Sequence, residues 1–363
     1  MNLLLLIFIV LYWYNIKYHT VKTDSTYTIT VGVIILLLGG LRNEAIYGDT
    51  LSYCIRFREM LNYSVTDIPL IFRKDPFFYI ASYYLSLLVD GEYTYWLMII
   101  SIIYMIPMIM IVKKYSLNPM YSWVAFMFIG LYIFIMAGLR QTVAMGLTLT
   151  AFMLLLQKKD ILFFLLVGFA YLFHGSALIF LIIYPIIRFK IKFNAVAIIF
   201  YLILAGVLAI MGDSIMSNMI DMLSEQDERF VAYGKNMKGS TIGYFLQQLI
   251  IVVPSLIILR NKLHERYYAI FAHLSMIGLA IVILCPIIAE MFRLSMYFSW
   301  GAIILFAAAM MHTRERYIPL GYMMVFFVYL IFISQTATNE YLFFFQDNTA
   351  YIHRTYEWLD DVF

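Results

Sequence analysis

Charge is scarce in this chain. Asp, Glu, Lys and Arg make up only 13% of its 363 residues, against about a quarter in a soluble globular domain. No segment is long and polar enough to form a separate soluble catalytic domain, so a nucleotide-sugar site is not expected. A formal net charge of +3, dispersed among short loops, carries no nucleic-acid footprint. Cysteine is almost absent: Cys54 and Cys285 lie far apart, which excludes a disulfide framework and any CxxC metal ligand set. The six histidines show no HxxxH or HExxH spacing, so a zinc site of those kinds is excluded as well.

Apolar residues are abundant, at 64% of the chain. They fall in repeated runs close to the roughly 17–25 residues that cross a bilayer as a helix. Most runs are apolar on every face, so helical periodicity adds little. The reading is an all-α polytopic integral membrane protein with about 12–14 transmembrane or re-entrant helices, in one membrane domain, 1–363. Helices are expected at 1–15, 28–41, 95–112, 120–137, 141–156, 160–173, 176–188, 194–211, 242–259, 268–289, 291–311 and 317–336. A short aromatic one at 76–89 either spans, re-enters or lies at the interface. The opening "MNLLLLIFIVLYWYN" has no basic residue before its apolar run and no small-residue cleavage site, and is taken as the first membrane helix. The aromatic stretches "YTYW" (93–96) and "YIHRTYEW" (351–358) are taken as interface residues.

Lys and Arg concentrate at Lys113–Lys114, "QKKD" (157–160), "RFKIKF" (188–193), "RNKLHER" (260–266) and "HTRERY" (312–317). All of these face the cytoplasm if residues 42–93 stay wholly outside and 160–188 breaks into two short helices near "FHGSA" (173–177). That topology places outside the loops 42–93 and 212–241, the 138–141 turn, His174, Glu290 and the tail 337–363. The 212–241 loop is expected to carry a short amphipathic helix.

Three arginines at the ends of apolar helices then fall on the outer side, where positive charge is disfavoured: Arg42 at the end of the second helix, Arg140 in "MAGLRQ" and Arg293 in "AEMFRLSMYF". Ionisable groups at membrane depth are functional candidates by default. A guanidinium is always charged and offers a planar fork of donors to phosphate, so these side chains point to a diphosphate, with snorkelling or structural pairing as the plain alternative. Asp49 and Tyr53 share a helix face at i, i+4, and Asp49 in "GDT" is also a natural N-cap. Glu290, Arg293 and Tyr297 share a second face. A carboxylate beside a sugar hydroxyl acts as general base. Asp49 is the first choice for that role, with Glu290 and His174 behind it; a lone His among apolar residues is as readily a packing residue.

Four pieces of sequence, in order, resemble the EpsG family of membrane proteins, related in role to the Wzy polysaccharide polymerases. They are Arg42 with Gly48-Asp49 and Tyr53; "DPFFYI" (75–80); "GLRQTVAMGL" (138–147) followed by "FHGSALIF" (173–180); and "FRLSMYF" (292–298). The gap between Arg42 and Gly48 is longer than the family commonly shows.

The resemblance implies a Wzy-like membrane glycosyltransferase of the bacterial plasma membrane. Its donor and acceptor are undecaprenyl-diphosphate-linked glycans, polymerised at the outer face beside flippase and chain-length regulator proteins. Arg42, Arg140, Gln141, Arg293, Tyr53 and Tyr297 are then substrate-binding, and Asp49, Glu290 and His174 catalytic. No cofactor is implied; arginines stand in for a metal, although the outer carboxylates leave a divalent ion open. The competing readings are a flippase, which should show two related halves, and an acyltransferase centred on a membrane-embedded His.

The topology makes one expectation concrete. A cysteine placed beside His174, in a chain lacking Cys54 and Cys285, should react with an impermeant thiol reagent applied from outside the cell. Reaction only from the cytoplasmic side would overturn the break at 173–177.

Overall fold

A computed structural model describes residues 21–46, 48–207, 210, 242–285, 291–315, 317–336 and 341–346. The helix expected at 1–15, the 212–241 loop with its amphipathic helix, Glu290 and the aromatic tail at 351–358 lie outside the described residues. Among those described there is no strand, only an isolated antiparallel bridge between Arg42 and Phe343. The protein is an all-α polytopic membrane protein. Three helices are long and apolar enough to cross a membrane: Tyr93–Tyr115, Leu139–Leu156 and Met291–His312. A fourth is counted if Pro119–Phe128 and Leu131–Ala137 form one broken span. The other described apolar helices are shorter, at 10–17 residues, among them Pro76–Leu88, Asp160–Phe173 and Arg266–Val282.

Two expected boundaries move for clear reasons. The helix expected at 120–137 is interrupted at Gly130, which adopts φ +78, a conformation open to glycine and strained for other residues. The stretch 42–93, expected to stay outside, is itself mostly helical, with Gly48–Glu59, Ile68–Ile71 and Pro76–Leu88 in succession. The break near His174 is where the sequence places it. Asp160–Phe173 ends there, His174 is extended at φ −159 and ψ 117, and a 3-10 stretch Gly175–Ile182 leads into Ile183–Arg188.

The described residues pack as two compact units. One lies within Met1–Lys114, Tyr132–Leu178 and Val325–Phe363, the other within Tyr115–Leu131 and Ile179–Met324. In the first, a ring-rich core gathers Phe57, Phe78, Tyr79, Trp96, Leu139 and Val143. Trp96 stacks on Phe57 with centroids 4.8 Å apart and donates its indole N–H to Ser82 Oγ over 3.1 Å. The "YTYW" stretch is thus split: Tyr93 and Trp96 are buried while Tyr95 is exposed, and the two inner rings pack the core instead of marking an interface. In the second unit, Met291–His312 is buried without interruption from Ser295 to Met310. A helix apolar on every face suits such an environment as well as the lipid interior.

Small residues set the closest helix approaches. A Cβ on Gly301 would lie 2.5 Å from Leu274 Cβ, and one on Gly146 would collide with the Ile103 carbonyl. The second contact is backbone, so it cannot swing away. Gly146→Leu should therefore lower the thermal midpoint of the detergent-solubilised protein, by overpacking worth about 1–3 kcal/mol. Gly168→Leu, with nothing within 4 Å of its Cβ position, should leave the midpoint unchanged.

Candidate functional site

Arg140 is the second residue of the Leu139–Leu156 helix, whose N-cap, Gly138, offers no side chain. A cation there faces the positive end of the helix dipole, so its charge needs an anion nearby. The sequence provides one from Asp75. That residue precedes Pro76 at the start of Pro76–Leu88, and a following proline disfavours the right-handed helical region. Asp75 takes the left-handed conformation, φ 55 and ψ 52, which Asp tolerates better than most residues. Its carboxylate makes no cap to its own helix and reaches across to other elements.

Three residues converge on this carboxylate. Arg140 Nη1 donates to Asp75 Oδ2 over 2.9 Å, and His174 Nδ1 lies 2.9 Å from the same oxygen. The Gly175 backbone N–H donates to Oδ1 over 3.3 Å. Arg140 also donates from Nε to the Tyr53 hydroxyl over 2.8 Å and from Nη1 to the Lys74 carbonyl over 3.3 Å. Its guanidinium carbon lies 5.8 Å from the Tyr53 ring centroid and 5.9 Å from that of Tyr79. Arg56, one turn after Tyr53, reaches the Tyr79 hydroxyl at 3.4 Å. The side chains of Arg140 and His174 each keep 18% exposure. Among the described residues, Arg140 Nη2 and His174 Nε2 have no hydrogen-bond partner.

The electrostatics follow from these contacts. Burial raises the Asp75 pKa, but the His174 hydrogen bond and charge, the Arg140 charge and the Gly175 N–H lower it by more. Its carboxyl is held below the usual carboxylate value. Burial pushes the Tyr53 hydroxyl up, with Arg140 opposing.

The remaining expected site residues are placed as follows. Asp49 and Tyr53 do share the Gly48–Glu59 helix, where Asp49 is exposed in the first helical turn and favourable to the dipole. Arg42 is 1% exposed and donates to the carbonyls of Gly39 and Met136, the latter over 2.7 Å. It closes the C-terminal end of Val21–Gly40 in the manner of a capping cation. Gln141 is buried beside Arg140. Arg293 and the buried Tyr297 belong to the second unit, at i, i+4 on Met291–His312. Asp75 is the member that residue-by-residue reading passed over. Its signal is the Asp-Pro pair opening a helix in "DPFFYI". Among the described residues, no group of three or more His, Cys, Asp or Glu side chains comes together.

Fold and site together define a multi-pass helical membrane protein with a cation, a carboxylate and an imidazole held in one hydrogen-bonded cluster. Residues 25–348 match the family model of the EpsG family, and the chain belongs to that family. The family is Wzy-like, so the protein has a polymerase-type role in polysaccharide biosynthesis. No curated protein and no solved structure matches the chain.

Because the folded-state pKa of Asp75 is depressed, its network stabilises the fold fully above the ordinary Asp value of about 3.9. That contribution is lost as pH falls through the lower folded value. Thermal midpoints in detergent should drop across that acid range, and Asp75→Asn should flatten this part of the curve while lowering the midpoint at neutral pH. An acid limb unchanged in Asp75→Asn would assign it to other carboxylates.

Proposed function

We propose that the protein joins undecaprenyl-diphosphate-linked oligosaccharide repeat units into a surface polysaccharide at the outer face of the bacterial plasma membrane. The growing glycan on its lipid diphosphate is the donor, and a hydroxyl of the next lipid-linked unit is the acceptor. The observation that carries this reading is the juxtaposition of Arg140 and His174 on one Asp75 oxygen in an EpsG-family chain. The free edge of the Arg140 guanidinium binds the diphosphate and stabilises the charge that grows on it as it leaves. His174 accepts the acceptor's proton. Asp49, an exposed carboxylate one turn from Tyr53, remains a second proton acceptor in this scheme.

Orientation is supported by the ends of the helices that carry the site. Arg140 opens Leu139–Leu156 and His174 closes Asp160–Phe173, while Lys158 and Lys159 sit in the turn joining the other ends of these two helices. With lysines on the cytoplasmic side, the cluster faces outward.

Purified protein in lipid vesicles, given only lipid-diphosphate-linked repeat units, should yield a ladder spaced by one repeat, without nucleotide sugar or energy source. Arg140→Gln should reduce polymer by about 10²-fold or more at unchanged protein level. Arg140→Lys should fare little better, since an ammonium cannot replace the fork that joins Tyr53, Asp75 and phosphate. Confirmed substrate and folded protein with no ladder would refute the proposal, and unit movement across the bilayer instead would identify a transporter.

A further inference from the structure

We infer that Asp75 is a positioning residue of the transfer reaction, holding the His174 imidazole with Nε2 toward the acceptor and tying it to the Arg140 guanidinium. The inference rests on the polymerase reading above. An ionised carboxylate only accepts hydrogen bonds. The nitrogen facing Asp75, His174 Nδ1 at 2.9 Å, therefore carries the proton, and the lone pair of the neutral ring lies on Nε2. The second oxygen accepts the Gly175 N–H, so the main chain directly after His174 is held as well as the ring.

The same carboxylate sets the spacing of the site. Arg140 Nη1 and His174 Nδ1 each lie 2.9 Å from Oδ2, so the guanidinium and imidazole nitrogens that face Asp75 stay within two hydrogen-bond lengths of each other. The arrangement is not a by-product of helix capping. Asp75 caps nothing, and its left-handed backbone, φ 55, aims the side chain away from its own helix.

In the step itself, the acceptor hydroxyl oxygen bonds to the donor's anomeric carbon. The bond from that carbon to the phosphate oxygen breaks, and its electron pair leaves with the lipid diphosphate beside Arg140. The hydroxyl proton moves to His174 Nε2 and then to water. Asp75 stays ionised throughout and stabilises the imidazolium, taking no proton and touching no substrate.

A double-mutant cycle in reconstituted protein separates this role from a merely structural one. Asp75→Asn should lower kcat by about 10²–10⁴-fold, with a much smaller rise in KM from the loosened Arg140. In a His174→Gln background the same change should cost much less in kcat, only the share that passes through Arg140, because residues acting as a unit are non-additive. An Asp75→Asn variant with wild-type kcat, or one whose full cost persists without His174, would overturn the inference. Should the Asn variant fail to accumulate, Asp75→Glu carries the same cycle: a lowered kcat whose cost shrinks once His174 is gone supports the role. An unchanged or additive kcat removes it. A wild-type protein that makes no polymer overturns the polymerase reading and this inference with it. Polymerising wild type with additive variants overturns this inference alone.

Discussion

A guanidinium at the start of a membrane helix sits against the helix dipole and, partly buried, against its own desolvation. Arg140 persists there because the Asp75 carboxylate meets it at 2.9 Å and the Tyr53 hydroxyl takes its Nε–H. Much else in the first unit follows from that pairing. The helix Gly48–Glu59 must bring Tyr53 to Arg140, the Asp75–Pro76 junction must turn its carboxylate inward, and the chain must break after Phe173 so that His174 reaches the same oxygen. Elements distant in sequence are held together by one anion.

The apolar packing beneath makes the polar cluster rigid. Tyr53 meets Phe78 edge-on at 6.0 Å and Trp96 at 6.4 Å, while Tyr79 stacks on Phe72 at 4.2 Å. The rings flanking Arg140 are therefore fixed from behind by the core that holds Phe57, Phe78 and Trp96. The Tyr53 hydroxyl turns toward the guanidinium, and the cation–π contacts with both rings add to that hydrogen bond. A site built in this way can present Arg140 and His174 to a ligand without reorganising, which is the condition for electrostatic stabilisation of a developing charge.

The two arginines that sequence reading grouped with Arg140 illustrate how far charge alone can mislead or inform. Arg42 has the same composition signal, a basic residue just past an apolar run. Its guanidinium instead serves the carbonyls of Gly39 and Met136, satisfying backbone groups that a buried helix end would otherwise leave open. Arg293 lies in the other unit, at the start of a helix whose next turns are wholly buried. Asp49, the carboxylate most visible in the sequence, is exposed, whereas Asp75 is turned into the cluster.

Sequence alone determined the membrane class, the places of most described helices, the helix break at His174 and the family. Each is written locally, in runs of apolar residues, in Gly and Pro positions or in short ordered motifs. Asp49 with Tyr53 on one helix face was equally legible, since 3.6-residue periodicity fixes it. Tertiary structure alone decided that Asp75, 65 residues from Arg140 and 99 from His174, is the carboxylate that joins them, and that Arg42 is bound to backbone. The reason is physical: a carboxylate's partners depend on which helix ends meet in space and on one backbone conformation before a proline. Neither is encoded in the residues adjacent to it.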